Sequence, residues 1–94
     1  MKTGVLNNLI LQVEDIHKKA ENIIGEGGFS PILKNEYKNK ISQYVKMYES
    51  VETMKKMTDN AMTLERLIDQ QIEILNVRIV WEKDWIKKTG KGEL

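Results

Sequence analysis

The chain has one histidine, His17, three residues after Glu14, and a Glu-x-x-His step on a helix sets the two side chains on neighbouring positions of one face. Di-metal carboxylate sites in helical bundles use this step twice, with a further Glu from each of two other helices, and a homodimer would supply the second copy by symmetry. Glu14, however, points away from the apolar stripe of its segment and towards Glu21. The residues therefore predict a surface His-Glu cluster, with no metal and no other cofactor. Glu65, Asp69 and Glu73 also recur every four residues, but Arg66 stands beside them and the line faces water. There is no cysteine, which removes disulfides, thiolate metal sites and a thiol nucleophile. No serine sits in a nucleophile-elbow pattern, and one histidine without partners is thin material for acid-base catalysis. The run Gly25-Glu26-Gly27-Gly28 is followed by no Lys-Ser/Thr pair, as a phosphate-cradling loop requires. No catalytic residue is assigned, and the expectation is a protein that is not an enzyme.

The elements that position these residues are helical. From Ile32 to Thr89 there is no Gly, Pro or Cys, and apolar residues recur every three or four positions. One unbroken helix over that stretch would be roughly 87 Å long at about 1.5 Å per residue, so the stretch folds back or pairs with another chain. Upstream, Leu6, Leu9, Val13, Ile16, Ala20 and Ile24 form one stripe, with Ile10 and Ile23 beside it, over a helix from about 5 to 24. Gly25 can take the left-handed position that ends it, Ser30 can cap the next helix and Pro31 suits that helix's first turn. Phe29 is placed as a plug over this reversal.

The second helix spans about 31–57 and buries Leu33, Tyr37, Ile41, Tyr44, Tyr48 and Val51, with Met47 and Met54 along one edge. Thr58, Asp59 and Asn60 are good N-caps and poor helix-interior residues. A break there gives a third helix over about 60–88. No Gly or Pro compels it, and a heptad register passes straight through, so one continuous long helix is the alternative. The fold class expected is all-α: an antiparallel bundle of three helices, the last two possibly continuous, in a single domain with a frayed tail from about 89.

The third segment carries two apolar stripes. Ala61, Leu64, Ile68, Ile72, Leu75, Ile79 and Ile86 form one, and Leu67, Ile74, Trp81 and Trp85 the other, with Val77 at its margin. Together they cover more than half the circumference, so this helix must touch two neighbours. Between them lie Gln71, Arg78 and Glu82, the last two four residues apart and able to pair. Either they reach outward through a gap, or they form a polar layer that fixes register, fixes oligomeric state or recognises a partner. Leu67, Gln71, Ile74, Arg78, Trp81, Glu82 and Trp85 are accordingly the candidate interface for a partner or a second copy, with the tryptophans as anchors. An alternative is a nucleic-acid face on the second helix, Lys34, Tyr37, Lys38 and Lys40, with the tyrosine stacking on bases. Glu36, Glu49 and Glu52 interleave with those lysines and weigh against it.

Fifteen basic and fourteen acidic residues among 94 give a formal charge of +1, so no overall field steers the chain to nucleic acid or an anionic membrane. Asn7 and Asn8 interrupt the apolar residues near the start, and no apolar run reaches the roughly twenty residues of a membrane span. The default setting is cytoplasmic. A composition rich in Lys, Ile, Asn and Glu is usual in AT-rich bacteria and their phages. By length and helix content the chain resembles the WxG-type helical hairpins, but it has no Trp-x-Gly turn and its glycine-rich reversal comes too early, so no family is assigned. The function expected is a small non-catalytic helical module for protein-protein interaction, an adaptor, chaperone or inhibitor of a larger protein, self-associating through the third segment; the alternative is a nucleic-acid-associated regulator.

Overall fold

The computed structural model describes residues 2–91. These form three helices, α1 (Lys2–Glu26), α2 (Pro31–Met57) and α3 (Ala61–Lys88), and no strand occurs among the described residues. The all-α three-helix bundle read from the sequence is therefore the fold of the chain.

The helix ends follow local chemistry. Ser30 caps α2, its hydroxyl oxygen accepting from the Ile32 N–H at 3.1 Å, and Pro31 fills the first turn, where no N–H is needed. Asn60 caps α3, its side-chain oxygen accepting from the N–H groups of Met62 and Thr63 at 2.9 and 3.0 Å. Thr58 is extended at φ −102° and ψ 138°, and its hydroxyl accepts from the Asn60 N–H at 3.3 Å. The long continuous helix is thus not formed: the Thr58 and Asn60 side chains offer the backbone bonds that a helix interior would otherwise supply. At the first reversal the left-handed residue is Gly27, at φ 71°, not Gly25. Gly25 and Glu26 remain helical, and the Gly27 N–H closes onto the Ile23 and Ile24 carbonyls. The tail expected from about 89 starts as a turn in which the Thr89 N–H donates to the Trp85 and Ile86 carbonyls. Residues 92–94 of that tail lie outside the described residues.

Helices α1 and α2 each pack along α3 and scarcely touch one another. Lys2 pairs with Asp69 at one end, and Lys91 Nζ donates to the Gly27 carbonyl at the other, so α1 runs parallel to α3 with α2 antiparallel to both. The two apolar stripes of α3 are explained by these two neighbours. Leu6, Leu9, Val13, Ile16, Ala20 and Ile23 of α1 are buried, as are Tyr37, Ile41, Tyr44 and Val51 of α2. Ile23 takes the buried place expected for Ile24, which is only half-buried. The bundle is a slab of 49 × 23 × 16 Å. Its radius of gyration, 15.1 Å, exceeds the about 12 Å of a compact globule of this length. A slab this thin leaves the outer side of α2 and α3 uncovered.

Candidate functional site

Along the seam between the helices, three polar residues of α3 are buried among the apolar core. Gln71 and Glu82 are 0% exposed and Arg78 is 9% exposed. Arg78 Nε donates to Glu82 Oε1 at 2.5 Å, one helical turn away. Tyr37 on α2 donates its hydroxyl proton to Glu82 Oε2 at 2.8 Å, and the Tyr37 hydroxyl oxygen lies 2.7 Å from His17 Nδ1 on α1. One line of contacts, His17-Tyr37-Glu82-Arg78, therefore links all three helices, including the two that otherwise scarcely meet. The phenolic proton is committed to the carboxylate, so the His17–Tyr37 bond needs its proton from His17: Nδ1 carries hydrogen and donates. His17 Nε2 is turned to the exposed Glu21, 3.4 Å away, and with hydrogen on Nδ1 it pairs with that carboxylate only when the ring is doubly protonated. Burial first, then the charge and hydrogen bond of Glu82, push the Tyr37 phenol far above its ordinary range, with Arg78 opposing. Tyr37 is a fixed donor.

A second polar cluster sits further along α3. Lys55 Nζ donates to Gln71 Oε1 at 2.8 Å and to Glu52 Oε2 at 3.3 Å, while Gln71 Nε2 donates to that same carboxylate oxygen at 2.8 Å. Trp85 Nε1 donates to the Leu33 carbonyl at 2.8 Å, Phe29 packs edge-on against the Trp85 ring, and the Tyr37 ring lies 4.5 Å from it. Every fully buried side-chain nitrogen and oxygen among the described residues has a partner. The seam is closed chemistry: it holds the helices in register, and its groups are committed to one another.

The open chemistry lies on the far side of α2 and α3. Tyr44 and Met47 of α2 and Ile74, Val77, Val80 and Trp81 of α3 line two adjoining hollows of about 300 and 570 Å³, rimmed by Gln70, Glu73, Asn76 and Asp84. Met47 is 51% exposed, Val77 49% and Val80 70%. Lys40 lies over the Tyr44 ring at 5.6 Å. Three exposed apolar side chains, Met47, Val77 and Val80, adjoin the half-buried Ile74 and Trp81 on one face, more than the single exposed residues that are ordinary on a protein surface.

Of the seven residues expected at an interface, Leu67, Gln71, Arg78, Glu82 and Trp85 are buried by the chain's own helices. Ile74 and Trp81 are half-buried and reach the outer face. Met47, Val77 and Val80 complete that face and were not in the expected set. Their signal is the run Ile79-Val80-Trp81, because three consecutive apolar residues on a helix cannot all point into one core. The lysine face of α2 is divided. Tyr37 is 2% exposed, so its ring is not available to stack on a base. Lys38 lines a groove with His17 on the α1 side, Lys34 is exposed one turn before it, and Lys40 lies on the opposite side over Tyr44. No group of three or more potential metal ligands occurs among the described residues, and no helix among them is long and apolar enough to cross a membrane. No known protein family matches the sequence, and no curated protein or solved structure matches it either.

Proposed function

We propose that this chain is a small non-catalytic helical interaction module that docks through the outer face of α2 and α3, in a cytoplasmic setting. The observation that supports the reading is the continuity of Met47, Ile74, Val77, Val80 and Trp81 across two helices that the rest of the chain leaves uncovered. Such a face, apolar at its centre and rimmed by Gln70, Glu73 and Asp84, has the anatomy of a protein-protein interface. Trp81 and Met47 are side chains of the kind that anchor interfaces, and the polar seam beneath them keeps the two helices rigid. The division of labour is a closed polar interior for shape and an apolar exterior for contact.

The test is a photo-crosslinking residue placed at Val77, and separately at exposed Lys18 on α1, in cells that make the protein. Val77 is expected to give a discrete crosslinked species and Lys18 none. Equal crosslinking from both positions, or none from Val77, overturns the reading.

A further inference from the structure

The charges around the outer face read differently along its two edges. On the α2 edge Glu36 is followed by Lys40, and on the α3 edge Lys88 stands one turn beyond Asp84. The edges are matched in height, since Lys88 Nζ lies 4.0 Å from Glu36 Oε1 across the helix pair. Lys40 and Asp84 share the next level: Lys40 sits over the Tyr44 ring, and Tyr44 and Asp84 line the same hollow. At each level one edge carries a positive charge and the other a negative one.

We infer that the face binds a second copy of this chain, with a two-fold axis parallel to the helices, so that α3 of each copy lies on α2 of the other. This inference rests on the reading that the face is a docking surface. A half-turn about such an axis exchanges the α2 and α3 edges without changing height. Asp84 then meets Lys40 of the second copy, and Lys88 meets its Glu36, twice over by symmetry. Asp84, Lys88 and Glu36 are 65%, 53% and 41% exposed at the side chain; within one chain Lys88 already faces Glu36 at 4.0 Å and Asp84 at 3.6 Å, so pairing with the second copy extends these surface contacts. The other face-to-face two-fold, with its axis across the helices, lays α3 on α3 in reverse. It sets Lys88 against Arg66 when centred on Val77, and Asp84 against Glu73 when centred a residue or two later. Like charges disfavour it. The apolar centre, Met47, Val77 and Trp81, supplies the attraction, and the four edge charges select the orientation. The result is a four-helix layer in which every neighbouring pair is antiparallel, the packing of an ordinary helical bundle.

The experiment is light scattering after size exclusion over a wide concentration range, with circular dichroism to show that each variant keeps its helix content. The parent chain is expected at twice the 11.0 kDa of one copy. Lys40→Glu and Asp84→Lys each place like charges opposite one another at two symmetric points, raising the dissociation constant about tenfold or more. The double variant restores the opposite pairing and is expected to return most of the lost affinity. A parent that stays monomeric throughout overturns the second copy as occupant. A dimer that the single variants leave intact, or that the double variant does not rescue, overturns the proposed arrangement. The crosslink at Val77 separates this failure from failure of the docking reading: a species at another mass, with a monomeric parent, keeps the docking face and removes self-pairing, whereas no species at all removes both.

Discussion

Replacing Glu82 alone should damage the fold far more than replacing Glu82 together with Arg78. Glu82 is 0% exposed, accepts from Arg78 Nε at 2.5 Å and from the Tyr37 hydroxyl at 2.8 Å, and Arg78 is itself 9% exposed. In Glu82→Leu the guanidinium stays in the seam without its carboxylate, and breaking one side of a buried ion pair costs about 3–5 kcal/mol. The domain's whole stability is expected to be of order 5–15 kcal/mol, so the single change removes about a fifth of it or more. At about 4–8 °C per kcal/mol for a chain of this size, the melting temperature should fall by roughly 20 °C. Arg78→Met alone leaves the carboxylate stranded and should cost a similar amount. Arg78→Met with Glu82→Leu removes both charges, a replacement that is by itself about neutral or stabilising by ~1–4 kcal/mol. It leaves only the Tyr37 hydroxyl short of its acceptor, at about 1–3 kcal/mol, so the double variant should lie closer to the parent than either single one. Urea unfolding followed by circular dichroism measures all four corners of this cycle. A Glu82→Leu chain within about 1 kcal/mol of the parent would mean that Arg78 needs no carboxylate in the seam. So would a double variant as unstable as the single ones, because the loss would then belong to side-chain shape and not to an uncompensated charge.

Two further outcomes follow from the polar contacts. Glu52 is held below the ordinary carboxylate range by the hydrogen bond from Gln71 and then by Lys55, against the opposing effect of burial. A depressed carboxylate stabilises the fold above its unfolded pKa, near ~4.3, and that contribution disappears as pH falls through the lower folded value. Urea midpoints measured from neutral pH into that acid range should fall less steeply in Glu52→Gln than in the parent, and parallel curves would count against the Gln71-Glu52-Lys55 cluster. His17, in its neutral form, is expected to be the tautomer with hydrogen on Nδ1, because Tyr37 gives its own proton to Glu82. Nitrogen-15 chemical shifts in a slightly alkaline buffer report this directly, and hydrogen on Nε2 would mean that the His17-Tyr37-Glu82 line is connected differently.

Ser30-Pro31 and Thr58-Asp59-Asn60 made the helix boundaries legible in the sequence, because a cap is a contact between residues two or three apart and needs no distant partner. The left-handed residue was misplaced by two positions for a related reason: Gly25 and Gly27 are locally equivalent, and only the length of α1 packed on α3 decides which one ends it. The double stripe of α3 correctly demanded two neighbours, and α1 and α2 are those neighbours. The residues expected at an interface fall mostly on the sides of α3 that α1 and α2 cover. Leu67, Gln71, Arg78, Glu82 and Trp85 were grouped by periodicity, yet periodicity states which residues share a face and not which neighbour covers that face.

The composition and spacing of this chain by themselves determined an all-α fold with a reversal before Pro31, a favoured but not compelled break near 58–60, a nearly neutral charge and an over-wide apolar arc on its last helix. Tertiary structure alone decided that Tyr37 turns its hydroxyl inward between His17 and Glu82, and that Arg78 and Glu82 satisfy one another inside the seam. It also decided that Met47, Val77 and Val80 remain outside. Helix formation is read over a few residues, whereas burial is set by elements that meet from twenty to fifty positions away, and the location of a functional face depends on which of its sides those elements leave bare.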